Sequence, residues 1–103
     1  MRSKRKAVQS MKYKVHGEII DLYKQPGLIE TAGFMGYYDP SDKIIKIDSS
    51  LVGMDHIVTI IHELQHALYD RCSFSLAVDP ALVEVIIDCT SKMIAENFKL
   101  TKR

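Results

Sequence analysis

No apolar run in this 103-residue chain approaches the roughly 18 residues needed to cross a bilayer, which argues against a transmembrane helix. Its basic start is not followed by the apolar segment that a secretory signal requires, so a cytoplasmic protein is expected. Cysteine is scarce: Cys72 and Cys89 are the only two and form no CxxC pair. In reducing surroundings they read as small buried side chains, with metal ligation the lesser alternative. Repeats and low-complexity tracts are absent. The length allows one domain with a single core and a shallow site, not a deep cleft between two lobes.

Acidic residues are missing from the start of the chain. Arg2, Lys4, Arg5, Lys6, Lys12 and Lys14 supply six of the fourteen basic residues, and all thirteen acids come later. The net charge of +1 therefore hides a balance of −5 over residues 15–103. A basic flexible arm over residues 1–11 is expected ahead of a mildly acidic domain over residues 12–103. Such an arm could contact nucleic acid or an acidic partner, although a solvated leader is the plainer reading.

From residue 12 to 23, β-branched and aromatic side chains alternate with polar ones and break at His16-Gly17, as in two short strands or one bent strand. Gln25-Pro26-Gly27 reads as a turn. Residues 31–38 and Lys43–Asp48 read as strands on either side of Asp39-Pro40-Ser41-Asp42, forming a β-hairpin. The period then changes. Ile57, Ile60, Ile61, Leu64 and Leu68 recur at helical spacing, with Asp55 the expected N-cap. After a loop from about Arg71 to Asp79, Asp79-Pro80 signals a second helix running to about Asn97, with an N-cap followed by proline at the first helical position.

The first of these helices carries His62-Glu63-Leu64-Gln65-His66. Positions i and i+4 differ by roughly 40° around a helix and about 6 Å along it, so both imidazoles can converge on one ion. Glu63 cannot join them from the same face, but its carboxylate could take a proton from an activated water and pass it to a leaving amine. The pattern arises by chance on the order of a few times per thousand chains of this size, so its surroundings must carry the assignment.

A catalytic zinc site wants three protein ligands and one open position. In Leu82-Val83-Glu84-Val85-Ile86-Ile87-Asp88, two carboxylates stand in a run so apolar that the helix is expected to be largely buried, and each would then need a cation or several donors. Four positions apart, they share a face. Glu84 is the natural third ligand, and Asp88 could accept a hydrogen bond from the free ring nitrogen of His62 or His66. Tyr69, Tyr37 and Tyr38 are candidates to stabilise an oxyanion, though packing explains each of them as well. Lys43–Asp48, if at the sheet edge, could hold an extended substrate; its lysines equally suit protection of an exposed edge. His56 is expected on the surface in the first helical turn, pointing away from the metal, and His16 in solvent at the strand break. Met35, Met54 and Met93 read as core or rim fillers.

HELQHAL followed by Glu84, eighteen positions after His66, resembles the gluzincin class of zinc peptidases, in which a downstream helix contributes a glutamate. The Glu84 to Asp88 spacing resembles the E-x-x-x-D pattern of thermolysin-type members. A hairpin ending in KIIKIDSSL, the HELQHAL helix and DPALVEVIIDCTSKMIAENF together are similar to small phage and prophage zinc-peptidase-like proteins related to the ImmA/IrrE group, over roughly residues 12–98. The resemblance implies an α+β fold: a minimal zincin core with a small antiparallel or mixed sheet and hairpin packed on two helices. It implies one zinc ion held by His62, His66 and Glu84, with Glu63 as general base. The extra domains that give larger relatives their specificity have no counterpart in this sequence.

A zinc metalloendopeptidase acting on a protein or peptide, by analogy a regulatory protein such as a phage repressor, is the leading expectation. The alternative is a non-catalytic, zinc-stabilised binding module that contacts a protein or nucleic-acid partner. Glu63 favours the enzyme, since a structural site needs no general base. A metal-free helical protein would leave the carboxylates of the second helix without partners.

Overall fold

A computed structural model describes residues 10–73 and 77–99. Residues 1–9, most of the expected basic arm, and part of the Arg71–Asp79 loop lie outside the described residues. The fold is α+β, with strands β1 (Ser10–Val15), β2 (Glu18–Gln25), β3 (Gly36–Asp39) and β4 (Ile44–Asp48) and helices α1 (Leu28–Ala32), α2 (Gly53–Arg71) and α3 (Pro80–Asn97). Ser10 and Met11, assigned above to the arm, already belong to β1.

The sheet is mixed, in the order β1-β2-β4-β3. His16 and Gly17, both at positive φ (49° and 86°), make the two-residue turn that folds β2 back on β1 with Tyr13 opposite Ile20. β2 and β4 run parallel, and β3 returns antiparallel along β4. Alternation sends Tyr13, Val15, Ile20, Leu22, Ile45 and Ile47 to one face, where α2 covers them with Ile60 and Ala67. The opposite face carries polar pairs such as Lys12 and Asp21, joined across the β1–β2 ladder.

The parallel pairing needs a crossover, and α1 lies within it where a strand was expected from residue 31. Thr31 closes this short helix by donating its backbone N–H and its hydroxyl to the Gly27 carbonyl. The carboxylate of buried Asp48, at the end of β4, accepts the Ile29 N–H and both the N–H and the hydroxyl of Ser50. These donors hold the Asp48 carboxyl below the usual carboxylate range, the Ser50 hydroxyl most of all and the Ile29 amide next.

β4 is therefore an inner strand, and β3 forms the edge, with no further strand beside it among the described residues. Lys43 sits in the turn before β4, and Lys46 is half-buried on the inner strand, so neither guards an edge. Gly36 lets β3 lie close. A Cβ there would meet the Lys46 carbonyl oxygen at 2.9 Å, Ile47 Cδ1 at 2.8 Å and Thr59 Cγ2 at 3.0 Å. The missing side chain seats the edge strand directly against α2.

α2 starts at Gly53 with Val52 as N-cap, and Asp55 lies inside its first turn, where its charge suits the positive end of the helix dipole. Asp79 does occupy the α3 N-cap with Pro80 behind it, but it caps without a side-chain hydrogen bond. α3 is not the buried helix that its apolar run suggests. Only Val83, Ile87 and Ser91 are buried, whereas Leu82, Val85 and Met93 are about half exposed. Cys72 and Cys89 are exposed too, one at the α2 C-cap and the other on the outer side of α3. Met35 and Met54 are likewise exposed.

Candidate metal centre

α2 presents His62 and His66 side by side, with ring centroids 5.1 Å apart. α3 crosses this face and brings Glu84 between them: Glu84 Oε2 lies 2.8 Å from His66 Nε2, and Oε1 lies 3.5 Å from His62 Nε2. One ligand atom from each residue falls within 4.8 Å of the other two, so the group could hold a metal ion. Asp88 Oδ1 lies 3.3 Å from His62 Nδ1, where it can fix the ring and leave Nε2 directed at Glu84. The three expected ligands and Asp88 come together. His16, in the β1–β2 turn, stays apart. His56 lies in the first turn of α2, away from the site, but is half-buried, and its Nε2 has no hydrogen-bond partner. Burial, and then the charge of Lys24, lower the His56 pKa.

Burial falls on a different carboxylate from those expected. The side chains of Glu84 and Asp88 are 50% and 66% exposed, so nothing about their solvation demands a cation. Glu63 is the buried one, 7% exposed on the inward side of α2. Burial first, and the charge of Glu84 second, push its carboxyl up from 4.5 to about 7. A carboxyl near neutrality can both accept and return a proton. His66 is lowered by burial, against an upward pull from Glu84, which favours the neutral imidazole that a metal requires.

A polar clasp absent from the expected site ties α3 to α2. Gln65, inside the pentapeptide, donates from Nε2 to Ser91 Oγ at 2.7 Å and accepts from Thr90 Oγ1 at 2.8 Å. Ser91 is 1% exposed and continues the buried stripe of Val83 and Ile87 at four-residue spacing. That stripe was the available signal: a serine where the period calls for an apolar residue needs a partner from the facing helix.

The site forms one wall of an open cleft of about 530 Å³. The other wall comes from β3 and the segment before it, and Tyr37, Tyr38 and Tyr69 all line the space. Tyr38 reaches across to α2, its hydroxyl 3.3 Å from Asp70 Oδ2. Burial, then the Asp70 charge, push the Tyr38 phenol up to about 12, so it keeps its proton. Compared with protein-family models, with curated proteins and with solved structures, the chain matches none.

Proposed function

We propose that the protein is a zinc-dependent peptidase that hydrolyses peptide bonds in a protein substrate. The observation that carries this reading is the convergence of His62, His66 and Glu84 beside a buried Glu63, all lining one open cleft. Two imidazole nitrogens and one carboxylate match the donor set of hydrolytic zinc sites. When bound, zinc supplies a Lewis acid that polarises the scissile carbonyl and lowers the pKa of a water toward about 7.

The chain's own groups do the rest. Asp88 orients His62 through Nδ1 and leaves Nε2 free to ligate. Glu63 takes one proton from the attacking water and returns it to the amine nitrogen as the C–N bond breaks, leaving a carboxylic acid and an amine. The outer edge of β3 offers backbone N–H and C=O groups to an extended peptide, the role first given to Lys43–Asp48. A protein substrate of this kind, a regulatory protein among the candidates, would be met in the cytoplasm. No helix among the described residues is long and apolar enough to cross a membrane.

The test is Glu63→Gln. The amide fills the same space but cannot accept the water's proton, so the variant should keep its zinc and lose hydrolysis of a denatured protein substrate by about 100-fold or more. Equal hydrolysis by wild type and variant would remove Glu63 from the mechanism. Zinc binding without hydrolysis in either would leave the binding module as the function.

A further inference from the structure

The sheet has a second face, turned away from α2, and cross-strand register fixes what it carries. Ser10, Tyr23, Lys46 and Tyr37 lie opposite one another on β1, β2, β4 and β3, a row that crosses all four strands with a lysine between two tyrosines. At about 4.8 Å per strand, the two tyrosines stand about 10 Å apart. The next row on the same face is Lys12, Asp21, Ile44 and Asp39, and Lys14 follows opposite Ile19. Neither long helix lies on this face, since α2 packs on the other side and α3 packs chiefly on α2. Ile19 is accordingly 46% exposed. At the β3 edge the rings of Phe34 and Tyr37 stack, with centroids 6.3 Å apart and planes inclined by 16°, and Phe34 is 53% exposed. This pair also reaches the rim of the cleft, where the open face ends.

The two sides of the sheet differ in charge. Glu63, Asp70 and Glu84 line the cleft, and no lysine or arginine does. On the open face, Lys14 and Lys46 form no ion pair among the described residues, and both acids are engaged: Asp21 with Lys12, and Asp39 as acceptor of the Ser41 and Asp42 N–H groups in the following turn. Arg2, Lys4, Arg5 and Lys6 precede Ser10 in the sequence with no acid among them, so the basic start of the chain joins the sheet at the end of the tyrosine row. Rings spaced along a lysine-bearing sheet suit a ligand with both regular negative charge and planar apolar faces. Single-stranded nucleic acid has phosphates for the lysines and bases for the rings. A duplex keeps its base faces against one another, and an acidic peptide has charge without the planes. We propose that the open face of the sheet binds single-stranded nucleic acid, with bases stacked on Tyr23 and on the Phe34–Tyr37 pair and phosphates held by Lys14 and Lys46. This goes beyond the peptidase reading and stands without it, because the face lies on the other side of the sheet from the helix that carries His62 and His66.

Fluorescence anisotropy with the full chain tests it, using labelled oligothymidylate and oligouridylate of about 20 nucleotides beside an abasic strand of equal length, a duplex and polyglutamate. The expected result at about 50 mM salt is binding of a base-bearing single strand about 10-fold or more tighter than the abasic strand, because the lysines see the same charge in both and the rings do not see the same bases. Tighter binding of one of the two oligonucleotides names the sugar and supports the face equally. Tyr23→Ala and Tyr37→Ala should each weaken binding about 10-fold, whereas Tyr23→Phe and Tyr37→Phe should retain most of it, since the ring and not the hydroxyl stacks. Lys14→Gln combined with Lys46→Gln should reduce the slope of log affinity against log salt by about 1.4. No binding of either single strand, equal affinity for the abasic strand or the duplex, or affinity unchanged in both alanine variants would overturn the proposal. Polyglutamate bound as tightly as the single strands would overturn it too, and assign the face to an acidic protein. None of these outcomes bears on zinc content or hydrolysis, which test the peptidase reading separately.

Discussion

The two long helices contribute to the same site from unlike positions. α2 lies on the sheet and buries Thr59, Ile60, Ile61, Glu63 and Ala67, whereas α3 packs chiefly on α2 and buries only Val83, Ile87 and Ser91. Two of the three candidate ligands therefore sit on the core helix, and the third sits on a peripheral one. A carboxylate on the outer helix can swing toward or away from the imidazoles at small cost. The Glu63 carboxylate has no such freedom, because it is buried on the inward side of α2. On the proposed reading, both imidazoles and the proton-transfer group belong to the helix that lies on the sheet, and the third ligand belongs to a helix that packs chiefly on that first helix.

The largest expected contrast is in stability. Ile60→Ala removes a side chain 2% exposed between α2 and the sheet and should cost about 2–5 kcal/mol in urea unfolding, whereas Val85→Ala on the outer side of α3 should stay within about 0.5 kcal/mol. A cost at Val85 as large as at Ile60 would mean that the outer face of α3 is covered in solution.

The buried carboxylate gives a pH dependence of definite sign. In the metal-free protein the Glu63 carboxyl is raised from 4.5 to about 7, so between those values the folded chain holds a proton that the unfolded chain has released. Its contribution is full below about 4.5 and is lost as pH rises through about 7. Glu63→Gln stays neutral throughout and should be more stable than wild type at pH 8, on the order of 2 kcal/mol, with the gap closing by pH 4. His66, lowered by burial, acts with the opposite slope, but it is present in both proteins, so the comparison of the two curves isolates Glu63. Parallel stability curves for the two proteins would mean that Glu63 is solvated.

A smaller effect probes the link between the helices. Gln65→Leu leaves buried Ser91 without its donor and should cost about 1–2 kcal/mol, while weakening zinc binding about 10-fold through the position of Glu84. Restored zinc affinity in Gln65→Glu, which can still accept from Thr90, would identify the clasp as a positioning device. Unchanged affinity in Gln65→Leu would show that α3 is held by Val83 and Ile87 alone.

The site was more legible in the sequence than the sheet around it. Helical spacing puts His62 and His66 on one face whatever the fold, and Asp79-Pro80 marks where the partner helix begins, so Glu84 and Asp88 could be placed from local rules. The edge strand could not. Which of β3 and β4 lies outermost depends on the parallel pairing of β2 with β4, a long-range choice with no local signature, and α1 depends on Asp48, nineteen residues beyond Ile29. The apolar run of α3 misled for a related reason: periodicity shows which residues could be buried, but only the neighbouring elements decide which are. Among the described residues nothing covers Leu82 and Val85, and Glu84 and Asp88 beside them are half exposed or more.

The central claim, one metal held jointly by the core helix and the peripheral one, is tested most directly by elemental analysis of the purified chain with its His66→Ala and Glu84→Ala variants. About one zinc per chain in the wild type and loss of stoichiometric zinc in both variants is the predicted result. A wild type without zinc after incubation with excess metal, or unchanged zinc content in both variants, would contradict it.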